Sequence, residues 1–396
     1  MSMAVGSGGV LLWPGLVEEF RVELERLGYV PAVVVDHVRL FRQAIDWLQS
    51  GDGMAGNWLD EFVASRGRRR GVSATLLRSF LVARGLLAEP ATPVAGPAER
   101  LVGEFGEYLR SERALGAGTI QGYVGVVRPF VASLVVGDQV VLAGIDAGAV
   151  FGFLSGVCPG RSRGGAQLVA TATRQLLGWL FLTGRVDRPL AQIVPRVGSW
   201  KLARLVDPVP AGDVEQMLES CDRSTIGGRR DYAMLLLAAR LGLRAGEIAR
   251  VGLGDIDWRA GELVVVGKGP KRSVLPLPAD VGAAIADYLR HGRPATAQGR
   301  SVFVRVPAPH RQLSTSGVTQ SVFAAAARAG VGRVYAHRLR HSAATAMLAA
   351  GGSLAEIGEV LRHERPATTA IYAKVDLTRL RTIARPWPAI TAGGRS

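Results

Sequence analysis

The 396-residue chain carries 48 Lys and Arg against 33 Asp and Glu, for a formal net charge of +15 and a sequence pI of about 10.8. A surplus of that size points to a polyanionic partner, most often nucleic acid, although Arg, Ala and Gly richness also follows genome composition. It argues against a membrane protein, because the sequence shows neither a long apolar span nor a basic amphipathic anchor, and the apolar opening GGVLLWPGLV lacks the length to span and the positive flank of a signal peptide. Cys158 and Cys221 lie far apart and form neither a disulfide framework nor a zinc pattern, which suits a reducing, cytoplasmic, nucleoid-associated setting.

In chain order, residues 1–95 read as a helical N-terminal domain. LVEEFRVELERLG (16–28) and VDHVRLFRQAIDWL (35–48) place apolar residues three and four apart. ASRGRRRGVSA follows, with Arg66, Arg68, Arg69 and Arg70. Such a run is ordinarily a solvated face; in a chain this basic it is equally a phosphate contact. The Pro- and Ala-rich stretch AEPATPVAGPAE (88–99) has no periodicity and reads as a linker.

Residues 96–196 form a second helical domain. LVGEFGEYLRSERALGAG opens it, and PGRSRGGAQLVATATRQLLGWLFLTG (159–184) adds a Gly/Arg/Ser loop and a further helix. Arg161, Arg163 and Arg174 are candidate phosphate ligands; the alternative is ordinary exposed arginine. VGSWKLARLVDPVP (197–210) is a second linker. Residues 211–385 mix helix and strand, and 386–396 are a short tail. AGDVEQMLES starts a helix with Asp213 and Gln216 as a capping pair. RDYAMLLLAARLGL (230–243) reads as a buried helix, and GELVVVGKGPKRSVLPL (261–277) as a hairpin around a Gly/Pro turn. SGVTQSVFAAAARAG, LRHSAATAMLAAG and LAEIGEVLR are helices. The fold class is mainly α with a small antiparallel β-sheet in an α+β C-terminal block.

Polar residues interrupt these apolar segments in one order. Arg244 and Glu247 are one helical turn apart, Lys268 sits in the hairpin turn with Lys271 and Arg272, His337 and Arg340 are again three apart, and His363 precedes Tyr372 in LRHERPATTAIYAKVD. Two arginines can fork onto the oxygens of one phosphate. Imidazoles can move protons at neutral pH, and a lysine on a turn can protonate a leaving oxygen. A tyrosine hydroxyl can hold a covalent phosphoryl group, provided positive surroundings and a base activate it. No carboxylate cluster stands ready for Mg²⁺ and no Walker-type loop occurs, so no metal and no nucleotide cofactor is expected. Taken singly, each residue has a bland reading: a solvated lysine, an intrahelical ion pair, a structural histidine, a half-buried tyrosine.

In this order and spacing the set resembles the tyrosine recombinase (phage integrase) family, over about 205–380. GLRAGEIARVGLGDIDW, VVGKGPKRSVLPL, AHRLRHSAAT and LRHERPATTAIYAKVD are similar to its motifs, and 100–196 resembles the helical core-binding domain that often precedes them. The resemblance implies that Arg244 and Arg340 clamp a scissile DNA phosphate and that Tyr372 attacks it, leaving a 3′-phosphotyrosyl end and a free 5′-hydroxyl. Lys268, with Lys271 as fallback, would protonate the 5′ oxygen. His337 would be the base for Tyr372, His363 would hydrogen-bond the phosphate, and Glu247 would orient Arg244 or a neighbouring histidine from behind. The family commonly has Gly where this chain has Arg362, which adds a cation near the site. The wording of the last motif looks most like recombinases of transposons and other mobile elements, acting in integration, excision or transposition. The helical domains would then clamp double-stranded DNA sites, with a dimer on each site, a tetrameric synapse, and accessory or partner recombinases as further partners. The tail KVDLTRLRTIARPWPAI would pack on its own domain or dock on a neighbouring protomer. The rival readings are type IB topoisomerase-like relaxation and a silent DNA-binding accessory protein.

Overall fold

The computed structural model describes residues 13–50, 58–66, 74–89, 95–196, 208–267, 272–363, 366–369 and 372. Lys268, Lys271, Arg68, Arg69, Arg70 and the tail after Tyr372 lie outside the described residues. The chain divides into two compact units, residues 88–201 and the remainder, 1–87 with 202–396. Among the described residues no helix is long and apolar enough to cross a membrane.

The smaller unit is built on four helices: α5 (Pro97–Ser111), α6 (Ala117–Ser133), α7 (Ala147–Val157) and α8 (Arg163–Leu182). Phe105, Leu109, Val127, Val150, Leu176 and Leu177 are fully buried between them. Two of these helices start on side-chain caps. Asp146 Oδ1 accepts from the Ala149 N–H at 2.8 Å, and Ser162 Oγ from the Gly165 N–H at 3.2 Å. A two-residue hairpin, β1 (Val135–Val136) with β2 (Gln139–Val140), turns through Gly137 and has no counterpart in the sequence reading.

The larger unit contains two groups of elements with separate cores. Four N-terminal helices, α1 (Trp13–Arg26), α2 (Pro31–Gln49), α3 (Trp58–Ser65) and α4 (Thr75–Ala83), bury Phe20, Leu24, Phe41, Leu59, Leu77 and Leu81. The second group runs α9 (Ala211–Glu219), α10 (Ile226–Arg240), α11 (Ala245–Arg250), β3 (Ile256–Asp257), β4 (Glu262–Val266), β5 (Arg272–Pro276), α12 (Ala279–His291), α13 (Thr315–Arg328), α14 (Ala336–Ala349), α15 (Leu354–Val360) and α16 (Pro366–Thr369). Helix α10 runs through its centre, as its continuous apolar run requires. Its buried pair Arg230–Asp231 is tolerated because Arg230 also donates to Ser321 Oγ and the Val304 carbonyl, both at 3.2 Å. The sheet is antiparallel in the order β3-β4-β5, with Val266 opposite Arg272, so the expected hairpin is present on either side of its turn.

One sequence expectation fails locally. Helix α9 begins at Ala211 with Pro210 at the cap, so Asp213 lies inside the first turn and caps nothing. Its charge still favours that end of the helix dipole.

The turn between α10 and α11 places the first element of the site. Gly242 adopts φ +59°, where a β-carbon is costly, and a Cβ there would lie 2.5 Å from Leu361 Cδ2 and 3.6 Å from Arg340 Cγ. Gly242→Ala is expected to lower the unfolding free energy by about 2–4 kcal/mol, the sum of left-handed strain and overpacking. Urea denaturation of the variant and the parent chain checks this.

Candidate active site

Arg244 is the N-cap residue of α11, and its spacing to Glu247 is a capping relation rather than a mid-helix pair. Glu247 is the third residue of the helix. Its carboxylate reaches back to accept the Arg244 backbone N–H at 2.8 Å and the Arg244 guanidinium at 2.7 Å. The Arg244 side chain stays 44% exposed while that of Glu247 is 1% exposed. A buried carboxylate needs such partners. Glu247 finds a second one in Arg362, whose NH2 group donates at 2.7 Å, and a third guanidinium, that of Arg340, lies 4.0 Å away. Burial works to raise the Glu247 pKa, but the Arg362 charge and the bonds from Arg244 and Arg362 outweigh it and hold the carboxyl below its usual range.

Helix α14 supplies the next layer. His337, Arg340 and His341 fall at i, i+3 and i+4, on one face. Arg340 is 1% exposed; it donates to the Gly242 carbonyl at 2.6 Å and to the Leu361 carbonyl. Two backbone carbonyls from different turns thus hold this guanidinium rigidly. Burial and the nearby Arg244 charge lower its pKa to about 10, so it is still cationic at neutral pH.

The chain after α15 brings in the last pieces. Arg362 takes φ +56°, the left-handed region in which a residue with a side chain costs roughly 1–2 kcal/mol. That conformation accounts for the glycine common at this position in the family that the sequence resembles. His363 follows, and its Nδ1 lies 2.7 Å from Thr369 Oγ1 in the threonine pair. Tyr372, which taken singly reads as a half-buried tyrosine, is 1% exposed and packs with Ala344, Leu348, Ile357 and Leu361. Its hydroxyl oxygen is 2.7 Å from His341 Nδ1, and its ring stacks on His363 at 6.4 Å between centroids. Burial raises the Tyr372 pKa, opposed by the charges of Arg340 and Arg244.

The expectation paired Tyr372 with His337. The imidazole at its hydroxyl is His341, whose ring lies 4.3 Å from that of His337. Sequence reasoning missed His341, although its signal was present: in AHRLRHSAAT it stands four residues after His337, on the same helix face. Burial, then His337 and Arg340, push the His341 pKa down to about 4. Burial, Arg340 and Arg244 do the same to His363, also to about 4. His337 is lowered by burial and by the same two arginines. A neutral His341 with its proton on Nε2 is then free to accept the Tyr372 hydroxyl proton.

Arg244, Glu247, His337, Arg340, Arg362 and His363 line one cavity of about 1060 Å³, together with Tyr335, Arg250 and the edge of β4. Positive guanidiniums and neutral imidazoles around one cavity suit a phosphate diester. Among the described residues no group of three or more His, Cys, Asp or Glu side chains is arranged to hold a metal ion. The outlying arginines differ in their surroundings. Arg161, Arg163 and Arg272 are exposed, and Arg66 lies 5.6 Å from the Phe62 ring centre. The guanidinium of Arg174 donates to the Val194 and Pro195 carbonyls at 3.1 and 3.2 Å, tying down the end of the smaller unit.

Residues 209–379 match the Phage integrase family. The chain is 42% identical over 317 residues to a protein of Sinorhizobium fredii named "Putative integrase/recombinase", covering 79% of this chain and 77% of that one. It is 28% identical over 289 residues to the tyrosine recombinase XerD of Listeria monocytogenes, covering 72% of this chain and 96% of the relative. The solved structure of the XerH site-specific recombinase bound to a palindromic difH substrate shares the fold at a TM-score of 0.56 and 19% identity, covering 74% of this chain and 98% of that one.

Depressed histidine pKa values carry a stability consequence. An unfolded histidine titrates near 6.5, so between about pH 6.5 and 4 the unfolded chain binds protons that folded His341 and His363 do not. Their contribution is therefore present above pH 6.5 and is lost as pH falls through that window. His341→Gln, which cannot take up the proton, is expected to flatten the acid-side fall of the urea midpoint relative to the parent chain.

Proposed function

Because the chain belongs to the phage integrase family of tyrosine recombinases, we propose that it is a site-specific recombinase that cleaves and rejoins duplex DNA through a 3′-phosphotyrosyl intermediate on Tyr372. The observation that carries this reading is the joint placement of Arg244, Arg340, His337 and His363 in the lining of one cavity, with a tyrosine hydroxyl bonded to His341 on the same helix as His337 and Arg340.

In this reading a DNA phosphate enters the cavity and meets two guanidiniums of different mobility. Arg340 is fixed by backbone carbonyls, and Arg244 projects from a helix start with nearly half its side chain exposed. Both neutralise the charge that builds on the non-bridging oxygens during displacement. The Tyr372 oxygen forms a bond to phosphorus, its proton passes to a neutral imidazole, and the bond from phosphorus to the 5′ oxygen breaks. His341 is the acceptor already in place; His337 is one helical turn away. Lys268 protonates the leaving 5′ oxygen, with Lys271 as its fallback. Attack by another 5′-hydroxyl reverses these steps on a new strand, so the diester energy is conserved without a nucleotide cofactor. Each protomer carries one such tyrosine, and exchanging two duplexes requires four strand cuts, so two protomers on each site and four in the synapse follow. The setting we infer is a cytoplasmic, nucleoid-associated enzyme of a mobile element, with accessory or partner recombinases as further contacts.

The test uses nicked duplexes selected from a random-sequence pool by binding to the full chain, so that cleavage beside the nick releases a fragment and cannot reverse. The parent chain is expected to give a covalent band on a denaturing gel and Tyr372→Phe none. Binding without adduct by the parent chain would support a silent DNA-binding protein, and relaxation of any supercoiled plasmid by a monomer a topoisomerase.

The exposed arginines of the smaller unit are proposed as backbone contacts. Replacing both Arg161 and Arg163 by alanine is expected to weaken binding to all duplexes alike. It should also reduce the slope of log K against log salt by about 2, roughly one for each phosphate that is no longer neutralised. A salt titration by fluorescence anisotropy measures this.

A further inference from the structure

Arg362 is left over from the recombinase reading. It occupies a backbone conformation suited to glycine, at φ +56°, and its side chain is only 6% exposed. It nonetheless lines the cavity beside Arg244, Arg340 and His363. Two of its five N–H groups are committed: one on NH1 donates to the Val360 carbonyl and one on NH2 to Glu247 Oε2, each at 2.7 Å. Its Nε is buried and has no hydrogen-bond partner. A buried donor left unpaired is costly.

Glu247 makes the arrangement readable. Its Oε1 is taken by the Arg244 guanidinium and its Oε2 by Arg362, with Arg340 at 4.0 Å. One carboxylate therefore balances three guanidiniums, and the cluster around it retains two positive charges. Arg362 is thus held on a cavity whose surplus positive charge a DNA phosphate would balance.

We propose that Arg362 is a third arginine of the phosphate site: with Arg244 it grips opposite oxygens of Glu247, and a terminal N–H of its guanidinium that neither Val360 nor Glu247 uses donates to an oxygen of the bound scissile phosphate. The proposal rests on the recombinase reading and adds to it a phosphate-binding residue at a position where glycine is usual. Its chemistry also makes a distinction from Lys. A lysine there would keep the charge, but its single nitrogen cannot hold Glu247 and the phosphate in a planar fork.

The experiment compares the parent chain, Arg362→Gly and Arg362→Lys in the nicked-duplex adduct assay, after the adduct has located the cleaved phosphate. Arg362→Gly should fold, since glycine suits the backbone there, and a melting curve verifies it. Its rate of adduct formation is expected to fall about 10²-fold, the size seen when one donor to a developing oxyanion is removed, with Arg362→Lys between the two. The same three proteins are then run on duplexes carrying a neutral methylphosphonate at the cleaved position. If Arg362 touches and neutralises the phosphate, the deficit of Arg362→Gly shrinks on the neutral diester. An Arg362→Gly rate equal to that of the parent on natural DNA overturns the proposal. So does an equal deficit on both substrates, which would mean that Arg362 only shapes the pocket. Absence of any adduct from the parent chain is a different failure, that of the recombinase reading itself.

Discussion

The site depends on one buried carboxylate. Glu247 is nearly inaccessible to solvent, yet three guanidiniums converge on it from α11, α14 and the turn after α15. Without a negative charge at their centre those arginines would repel one another and would favour separate, solvated positions. With it, they are held at hydrogen-bond or near-contact distance and keep a net positive face toward the cavity. Glu247 itself stays ionised for the same reason, since the charges around it outweigh the cost of burial. Carboxylate and arginines are therefore interdependent, and each makes the burial of the others tolerable.

The scaffold around this cluster is made of backbone. Arg340 is fixed by the carbonyls of Gly242 and Leu361, which come from turns far apart in the chain. Gly242 meets Leu361 so closely that a β-carbon would force a shift, and this ties the start of α11 to the end of α15. Rigidity of this kind is what a phosphate clamp needs, because donors already in position need not reorganise during the reaction. The imidazoles obey the opposite logic. Burial beside guanidiniums keeps His341 and His363 uncharged, so the site divides into cations and neutral proton acceptors.

Much of this was legible before any fold was known. Apolar spacing located α1, α2, α10, α13, α14 and α15, and the alternation around a Gly/Pro turn located the hairpin of β4 and β5. The order of Arg244, His337, Arg340, His363 and Tyr372 marked four residues that line one cavity and a tyrosine whose ring stacks on one of them. Other features were hidden because they depend on contacts between distant segments. Periodicity could place His341 on the face of His337, but it could not say which ring meets Tyr372. Arg174 read as a candidate phosphate ligand, and in the fold its NH2 group donates to the carbonyls of Val194 and Pro195. Asp213 had the spacing of a cap, but Pro210 starts the helix one turn earlier.

The sequence by itself determined the mainly helical class, the small antiparallel sheet and the identity of the groups able to handle a phosphate. Each of these follows from residue type and local period. Only the tertiary structure decided which side chains are buried, which donors are left unpaired and which imidazole holds the tyrosine. Those properties arise when α11, α14 and the segment after α15 close on one another, and burial then sets both the charge states and the partners. Arg362 shows the division most clearly. In the sequence it was one substitution for glycine; in the fold it is a buried cation in a left-handed turn, bound to Glu247 and with one donor unpaired.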